Sequence, residues 1–215
     1  MTTPAEQYAA AKKRGSHPLT TEFIEQFDFG FDEFQITACQ AVEDGKGVLV
    51  AAPTGAGKTV VGEFAAFSSL ARGKKCFYTT PIKALSNQKF AEFQERFGEH
   101  RVGLLTGDTN INSEADILVM TTEVLRNMLY ANSSTLMNLG SVVMDEVHYL
   151  ADKFRGAVWE EVLIHLMESV QVISLSATVS NAEEFGEWLG EVRGATEVIV
   201  SEIRPIPLYQ HVLIG

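Results

Sequence analysis

The chain has 215 residues, 46% of them hydrophobic and 21% charged, which suits one ordinary globular domain that builds its own core without disulfide staples or structural metals. No run approaches the ~18 apolar residues of a membrane span, and the opening Met-Thr-Thr-Pro-Ala-Glu lacks the apolar centre of a signal peptide, so a cytoplasmic location without membrane contact is expected. Seventeen basic against 28 acidic side chains give a net charge of −11, which argues against gripping a polyanion through bulk positive potential.

The charge is uneven: residues 1–126 carry a net −3 and residues 127–215 a net −8. A polyanion is therefore expected to meet loops of the first portion, where backbone amides at helix starts hold phosphate without net positive charge. Cys39 and Cys76 lie far apart with no C-x-x-C partner; they suit buried small hydrophobes in a reducing compartment better than a disulfide or a zinc site.

Residues 1–20, with Lys12-Lys13-Arg14, Gly15 and Pro18, read as a flexible leader, in which the basic cluster is a solvated tail before it is a nucleic-acid contact. From residue 47 onward, short β-rich apolar runs alternate with longer segments. Gly47–Ala52, Lys75–Thr79, Val102–Leu105, Asp116–Thr121, Ser141–Asp145, Gln171–Ser176 and Glu197–Ser201 read as strands, and residues 58–71, 82–96, 122–130, 156–168 and 181–190 as crossover helices. Several strands are apolar on both faces, as required in a sheet covered on both sides. The pattern predicts an α/β fold, a doubly wound parallel sheet with helices on both faces, over residues 21–203.

Gly47–Ala52 runs into Pro53-Thr54-Gly55-Ala56-Gly57-Lys58-Thr59 and then a helical segment. Strand, glycine loop and helix in that order form a phosphate cradle: the glycines let the backbone curl, the helix start adds partial positive charge, Lys58 reaches the β- and γ-phosphates, and Thr59 offers a hydroxyl to Mg²⁺. Ala52 stands where the usual pattern opens with glycine; Gly55 and Gly57 remain. Ser141-Val142-Val143-Met144 drives a later strand into Asp145-Glu146-Val147-His148, placing two acids at the carboxyl end of a parallel strand, where such sheets bind their ligands. A solvated acid pair is the plain reading of Asp145 and Glu146 in isolation. Beside a phosphate loop, Asp145 becomes a Mg²⁺ ligand and Glu146 the group that orients or deprotonates water. His148 faces the same edge.

Ala52–Thr59, Asp145–His148 and Ser176-Ala177-Thr178, in that order, resemble motifs I, II and III of superfamily 2 DExH-box helicases. Thr80–Gln88 looks like motif Ia, and Thr121-Thr122-Glu123-Val124-Leu125 like motif Ib, with Thr122 where relatives usually carry proline. Phe29–Gln35 resembles the adenine-reading Q motif, and Arg155–Glu161 resembles the segment after motif II in the superkiller-like branch, its actinobacterial members in particular. The resemblance covers about residues 27–210. It implies a recombinase-like (RecA-like) P-loop NTPase domain that uses ATP and Mg²⁺, with 204–215 as an exit linker toward a second motor domain that supplies an arginine finger.

The same resemblance assigns roles residue by residue. Gln35 reads the adenine edge and Phe29 stacks on the base, core packing being an equal reading for Phe29. Pro81, Lys83, Gly107, Thr121 and Thr122 meet nucleic acid, RNA in preference to DNA; Lys83 reads equally as a solvated surface lysine. Ser176, Ala177 and Thr178 couple nucleotide state to strand contacts. Trp159 is a packing residue before a stacking platform. Two other functions stay open at this stage: a stand-alone ATP-sensing interaction module, and a small-metabolite kinase, against which the Ser-Ala-Thr and D-E-V-H combination speaks.

Overall fold

The structure, a computed structural model, describes residues 16–147, 156–177 and 182–203. His148 and Thr178, the basic cluster at 12–14, and the exit segment 204–215 lie outside the described residues. Helices α1 (Pro18–Ile24) and α2 (Glu33–Glu43) lead into a sheet whose strands are β1 (Gly47–Ala51), β2 (Lys75–Thr80), β3 (Val102–Leu105), β4 (Asn110–Ile111), β5 (Ile117–Thr121), β6 (Leu139–Asp145), β7 (Gln171–Ser176) and β8 (Thr196–Val200). Between them run α3 (Thr59–Ala71), α4 (Lys83–Phe97), α5 (Thr122–Tyr130), α6 (Gly156–His165) and α7 (Ala182–Arg193). The strand order is β4-β3-β5-β2-β6-β7-β1-β8. Every pairing is parallel except β3 with the two-residue edge strand β4, which the sequence reading did not foresee.

Strand alternation sorts the core into two layers. Val48, Val50, Cys76, Tyr78, Ile117, Val119, Val143 and Ile173 face one side, packed with Phe23, Ala38, Phe64 and Phe93 from α1 to α4. Leu49, Phe77, Leu118, Met120, Val142, Met144 and Val172 face the other, packed with Leu125, Trp159, Val162 and Leu189 from α5 to α7. The doubly wound reading therefore holds, and Trp159, 1% exposed, is a packing residue. Both cysteines are buried and free, and burial pushes the Cys76 thiol up to about 12.

The chain joins the domain earlier than the expected boundary at residue 20. Glu43, at the end of α2, accepts from the backbone N–H of Leu19 (3.0 Å) and Thr20 (2.8 Å) and from the Thr20 hydroxyl (2.7 Å), and His17 Nε2 lies 3.0 Å from Asp44 Oδ1. These bonds satisfy the free amides at the start of α1 with a carboxylate supplied from another helix. Phe23 then sits at the centre of an aromatic cluster, 5.1 Å from Phe27, 5.3 Å from Phe64 and 5.4 Å from Phe67 between ring centroids.

At the opposite end of the chain, Arg193 closes α6. Its guanidinium donates to the carbonyls of Leu163 (3.3 Å), Leu166 (2.6 Å), Met167 (2.7 Å) and Val170 (2.9 Å), satisfying carbonyls at a helix C-terminus that have no partner within the helix. Arg193→Met keeps the stem but removes all four bonds. It is expected to lower stability by about 2–3 kcal/mol, read as an earlier urea midpoint at unchanged slope; a midpoint equal to wild type would show that water replaces the guanidinium at no cost.

Candidate functional site

Because β1, β2, β5, β6 and β7 run in one direction, the segments leaving their carboxyl ends share one edge of the sheet. These are the glycine loop after β1, Pro81 and Ile82 after β2, Thr122 after β5, Glu146 after β6 and Ala177 after β7. The glycine loop and the segment after β7 adjoin directly: Ala52 N–H donates to Ser176 O at 3.1 Å, extending the β1–β7 ladder by one residue.

The loop turns on two residues in the left-handed region, Gly55 (φ +85°) and Gly57 (φ +80°), where a Cβ is strongly disfavoured. At Gly57 a Cβ would also lie 2.6 Å from Gln35 Nε2. Pro53, Thr54 and Ala56 complete the turn, with Ala56 N–H donating to Pro53 O at 3.1 Å. Lys58 is 8% exposed, and its ammonium donates to Ala52 O (2.7 Å) and Pro53 O (3.1 Å). Burial holds its pKa below the usual lysine value, against the opposing pull of Glu146 and Asp145. Thr59 opens α3 directly behind it.

Asp145 ends β6 with both carboxylate oxygens engaged: Oδ2 accepts from the Tyr78 hydroxyl at 2.7 Å and Oδ1 from Glu146 N–H at 2.9 Å. Burial raises its pKa, opposed first by the Tyr78 hydrogen bond and then by the Lys89 charge, the Glu146 N–H and Lys58. Glu146 takes φ +57°, a left-handed backbone that costs a non-glycine residue about 1 kcal/mol or more. Among the described residues no three His, Cys, Asp or Glu side chains cluster as a metal cage. The hydroxyl of Thr59 and carboxylate of Asp145 are the hard oxygen donors that Mg²⁺ takes when phosphates and water complete its octahedron, so the residues present fit that ion.

Gln35 is buried (5% exposed) at the start of α2 and works in two directions. Its Oε1 accepts from Asp32 N–H at 2.8 Å, and its Nε2 donates to Gly57 O at 3.1 Å and Ala56 O at 3.4 Å. It is a strut between the start of α2 and the glycine loop. Phe29 is 56% exposed, stacked on Phe31 at 5.7 Å and edge-on to Phe27 at 5.1 Å, so it is not a core residue.

The start of α4 (N-cap Ile82) and the start of α5 (N-cap Thr121) have no side-chain cap, and their parent strands are adjacent with Thr80 opposite Thr121. Two uncapped helix starts thus stand side by side. Lys83 pairs with Asp108 at 2.6 Å, and this bond holds the Asp108 carboxyl below the usual range. Gly107 has open space where a side chain would stand. Thr122 is 1% exposed and donates to Thr80 O at 3.3 Å, so its hydroxyl faces inward and only backbone atoms there can meet a strand. Ser176 is buried, 6% exposed, and Ala177 follows it half-buried.

Two residues at the site were absent from the sequence reading. Tyr78 was hidden in an apolar strand, although a buried tyrosine needs a hydroxyl partner. Lys89 lies one residue beyond the segment read as motif Ia; its ammonium is 3.4 Å from Thr59 Oγ1 and 2.6 Å from Glu92.

The profile of the DEAD/DEAH box helicase family matches residues 32–185. The chain is 62% identical to "Probable helicase HelY" of Mycobacterium leprae over 193 residues, covering 90% of this chain and 21% of that protein. It is 44% identical to "Antiviral helicase SKI2" of Saccharomyces cerevisiae over 220 residues, covering 96% of this chain and 17% of that one. The chain thus spans about a fifth of the length of these relatives. Among solved structures it resembles Mycobacterium smegmatis helicase Lhr bound to ssDNA and AMP-PNP, with a TM-score of 0.70 and 31% identity, covering 85% of this chain and 27% of that one.

Lys58 is the only cationic side chain in the loop Pro53–Thr59. Lys58→Ala is expected to weaken ADP binding in the presence of Mg²⁺ by about 10–100-fold, the effect of one or two lost charge-assisted hydrogen bonds. Calorimetry on a variant with unchanged circular dichroism is the check. Wild-type affinity would remove Lys58 from the phosphate site.

Proposed function

The chain belongs to the DEAD/DEAH box helicases, and from that premise we propose that it is the first motor domain of a superkiller-like ATP-dependent helicase, binding ATP with Mg²⁺ at the β1–β6–β7 edge and nucleic acid at the starts of α4 and α5. The observation that carries this reading is the shared edge: a glycine loop with a buried lysine, an acid pair on the next strand but one, and two adjacent uncapped helix starts.

In this proposal Pro53–Thr59 wraps the phosphates with backbone amides, and Lys58 exchanges its bonds to Ala52 O and Pro53 O for phosphate oxygens. Thr59 and Asp145 hold Mg²⁺, which when bound neutralises developing charge on the phosphates. Glu146 orients the attacking water and accepts its proton, its left-handed backbone fixing its carboxylate apart from the one that holds the metal. Phe29 offers its exposed ring to the base. Gln35 reads adenine with its amide, for which Nε2 must release at least one of its two carbonyls on the glycine loop, so base recognition and loop shape are linked through one side chain. Ser176 and Ala177 adjoin the loop entry and transmit its state; Thr178 and His148 complete their motifs.

Strand contacts run through the amides of α4 and α5, near Pro81, Gly107, Thr121 and Thr122, with Lys83 recruited from Asp108. The superkiller-like resemblance favours RNA, and the single-stranded DNA bound by the structurally similar Lhr helicase makes DNA the second arm of any test. A second motor domain supplies the arginine finger. A stand-alone ATP-sensing module is not favoured, because the relatives are named helicases and strand-facing helix starts stand beside the nucleotide loop.

Two measurements test the chemistry. In a chain containing both motor domains, Glu146→Gln is expected to keep ATP affinity within about threefold while turnover falls 10²–10⁴-fold, roughly the contribution of a positioned base; retention of wild-type kcat would assign the water to another residue. Residues 1–215 alone are expected to hydrolyse ATP about 10³–10⁵-fold more slowly than that longer chain, the worth of an arginine finger, with or without single-stranded RNA or DNA. Strand-stimulated turnover by residues 1–215 that disappears in Lys58→Ala would overturn the two-domain requirement.

A further inference from the structure

Tyr78, which touches Asp145, is left unused by the proposed nucleotide chemistry. It is fully buried in β2. Its ring meets Phe93 of α4 edge-on, with centroids 5.0 Å apart and planes at 62°. On another side it lies against the backbone of α3 at Gly62, where a Cβ would come within 2.8 Å of the ring. The absence of a side chain at Gly62 is thus what admits the ring between helix and sheet. Held by both helices, the ring has no room to swing, and its hydroxyl donates to Asp145 Oδ2 at 2.7 Å.

The geometry of the carboxylate follows. Asp145 Oδ1 is held by Glu146 N–H at 2.9 Å, a bond to the next residue along the backbone. One such local donor leaves the carboxyl free to pivot about it. A second donor, on the other oxygen and from a different strand, fixes the plane of the group and leaves its remaining lone pairs in set directions. Metal-binding carboxylates are commonly aimed in this way by partners that never touch the metal. A burial-only account of Tyr78 explains the ring but leaves the choice of partner arbitrary; the hydroxyl ends on the acid that the DExH pattern gives to Mg²⁺.

We propose that Tyr78 is a positioning residue for Mg²⁺ binding: clamped between α3 and α4, it fixes the carboxylate of Asp145 in the orientation that receives the metal. This rests on the reading of Asp145 as a Mg²⁺ ligand, and the experiment separates the two.

Tyr78→Phe keeps the ring and removes only the donor. ADP binding by residues 1–215 is measured calorimetrically in EDTA and across a MgCl₂ series for wild type, Tyr78→Phe and Asp145→Asn, with a melting scan of each. The expected result is that Tyr78→Phe binds ADP in EDTA within twofold of wild type but needs about 10-fold more Mg²⁺ for half of the metal-dependent gain, with Asp145→Asn shifted at least as far. A Tyr78→Phe variant that melts earlier but follows the wild-type Mg²⁺ curve, while Asp145→Asn does not, would reduce Tyr78 to a packing residue and overturn the proposal. Equal losses of affinity with and without Mg²⁺ in Tyr78→Phe would also overturn it, since they report a loosened site and not a misaimed carboxylate. If Asp145→Asn itself follows the wild-type curve, the assignment of Asp145 to the metal fails and the role of Tyr78 falls with it.

Discussion

The parallel run of β1, β2, β5, β6 and β7 is the constraint on which the rest depends. A parallel strand cannot turn back through a tight hairpin; each needs a crossover, and the crossovers place every strand end of one polarity on one edge. Residues scattered over more than a hundred positions of sequence, from Pro53 to Ala177, are neighbours for that reason alone. Strand β2 is the element through which the two halves of the edge meet. Its last three residues bond in three directions: Tyr78 to Asp145 Oδ2, Thr79 Oγ1 to Val143 O at 3.1 Å, and Thr80 to the start of α4 through Ile82 O at 3.0 Å and the Ser86 hydroxyl at 2.7 Å. Thr122 at the start of α5 donates to Thr80 O. Through hydrogen bonds from adjacent residues, the backbone of β2 therefore links Asp145 to both helix starts.

The site carries buried charge that a protein without a charged ligand would avoid. Lys58 and Asp145 are both pushed toward their neutral forms by desolvation; the charges of Glu146 and Asp145 partly restore Lys58, and the Tyr78 hydrogen bond, Lys89, the Glu146 N–H and Lys58 partly restore Asp145. Burying them without ligand costs stability, and the left-handed Glu146 adds backbone strain. The core on the two faces of the sheet, with the Phe23 cluster on one side and Trp159 with Leu125 on the other, outweighs those costs. Strain and buried charge fall at the same few residues, as the proposed site for phosphate and a divalent ion would require.

Most of this was legible in the sequence because the signals are local. The seven long strands follow from short β-rich apolar runs, several of them buried on both faces, and the glycine loop from a strand-loop-helix order whose glycines the structure finds at positive φ. What escaped was non-local or short. Strand β4 has only two residues, Asn110 and Ile111, both exposed, and no periodicity can be read from two positions. The first residues of α1, Pro18 to Thr20, fell in the leader because their anchoring carboxylate, Glu43, stands more than twenty residues away. Gln35 was legible as the amide that the Q-motif resemblance assigns to adenine, but its bond to Gly57 O depends on where α2 docks. Tyr78 was passed over because the eye reads Lys75–Thr79 as an apolar strand, and only the register of β2 against β6 shows that its hydroxyl reaches Asp145.

The acidic balance, which at first argues against a nucleic-acid partner, is instead consistent with the way this edge is built. In the proposed reading phosphate is met by backbone: the glycine loop and start of α3 on one side, the starts of α4 and α5 on the other. Amide donors and helix dipoles act within a turn of the helix and do not depend on net charge. The side-chain cations nearby are already committed, Lys58 to carbonyls, Lys83 to Asp108 and Lys89 to Glu92. A polyanion reaching this edge would therefore release few condensed counterions, and its binding would respond weakly to salt compared with that of a basic groove. The −8 carried by residues 127–215 adds a general repulsion that disfavours loose association away from those amides. On the proposed reading, a domain built in this way would hold a strand through a few aimed amides and gain little from charge at a distance, so its grip would follow the positions of α4 and α5, which β2 sets through Thr80.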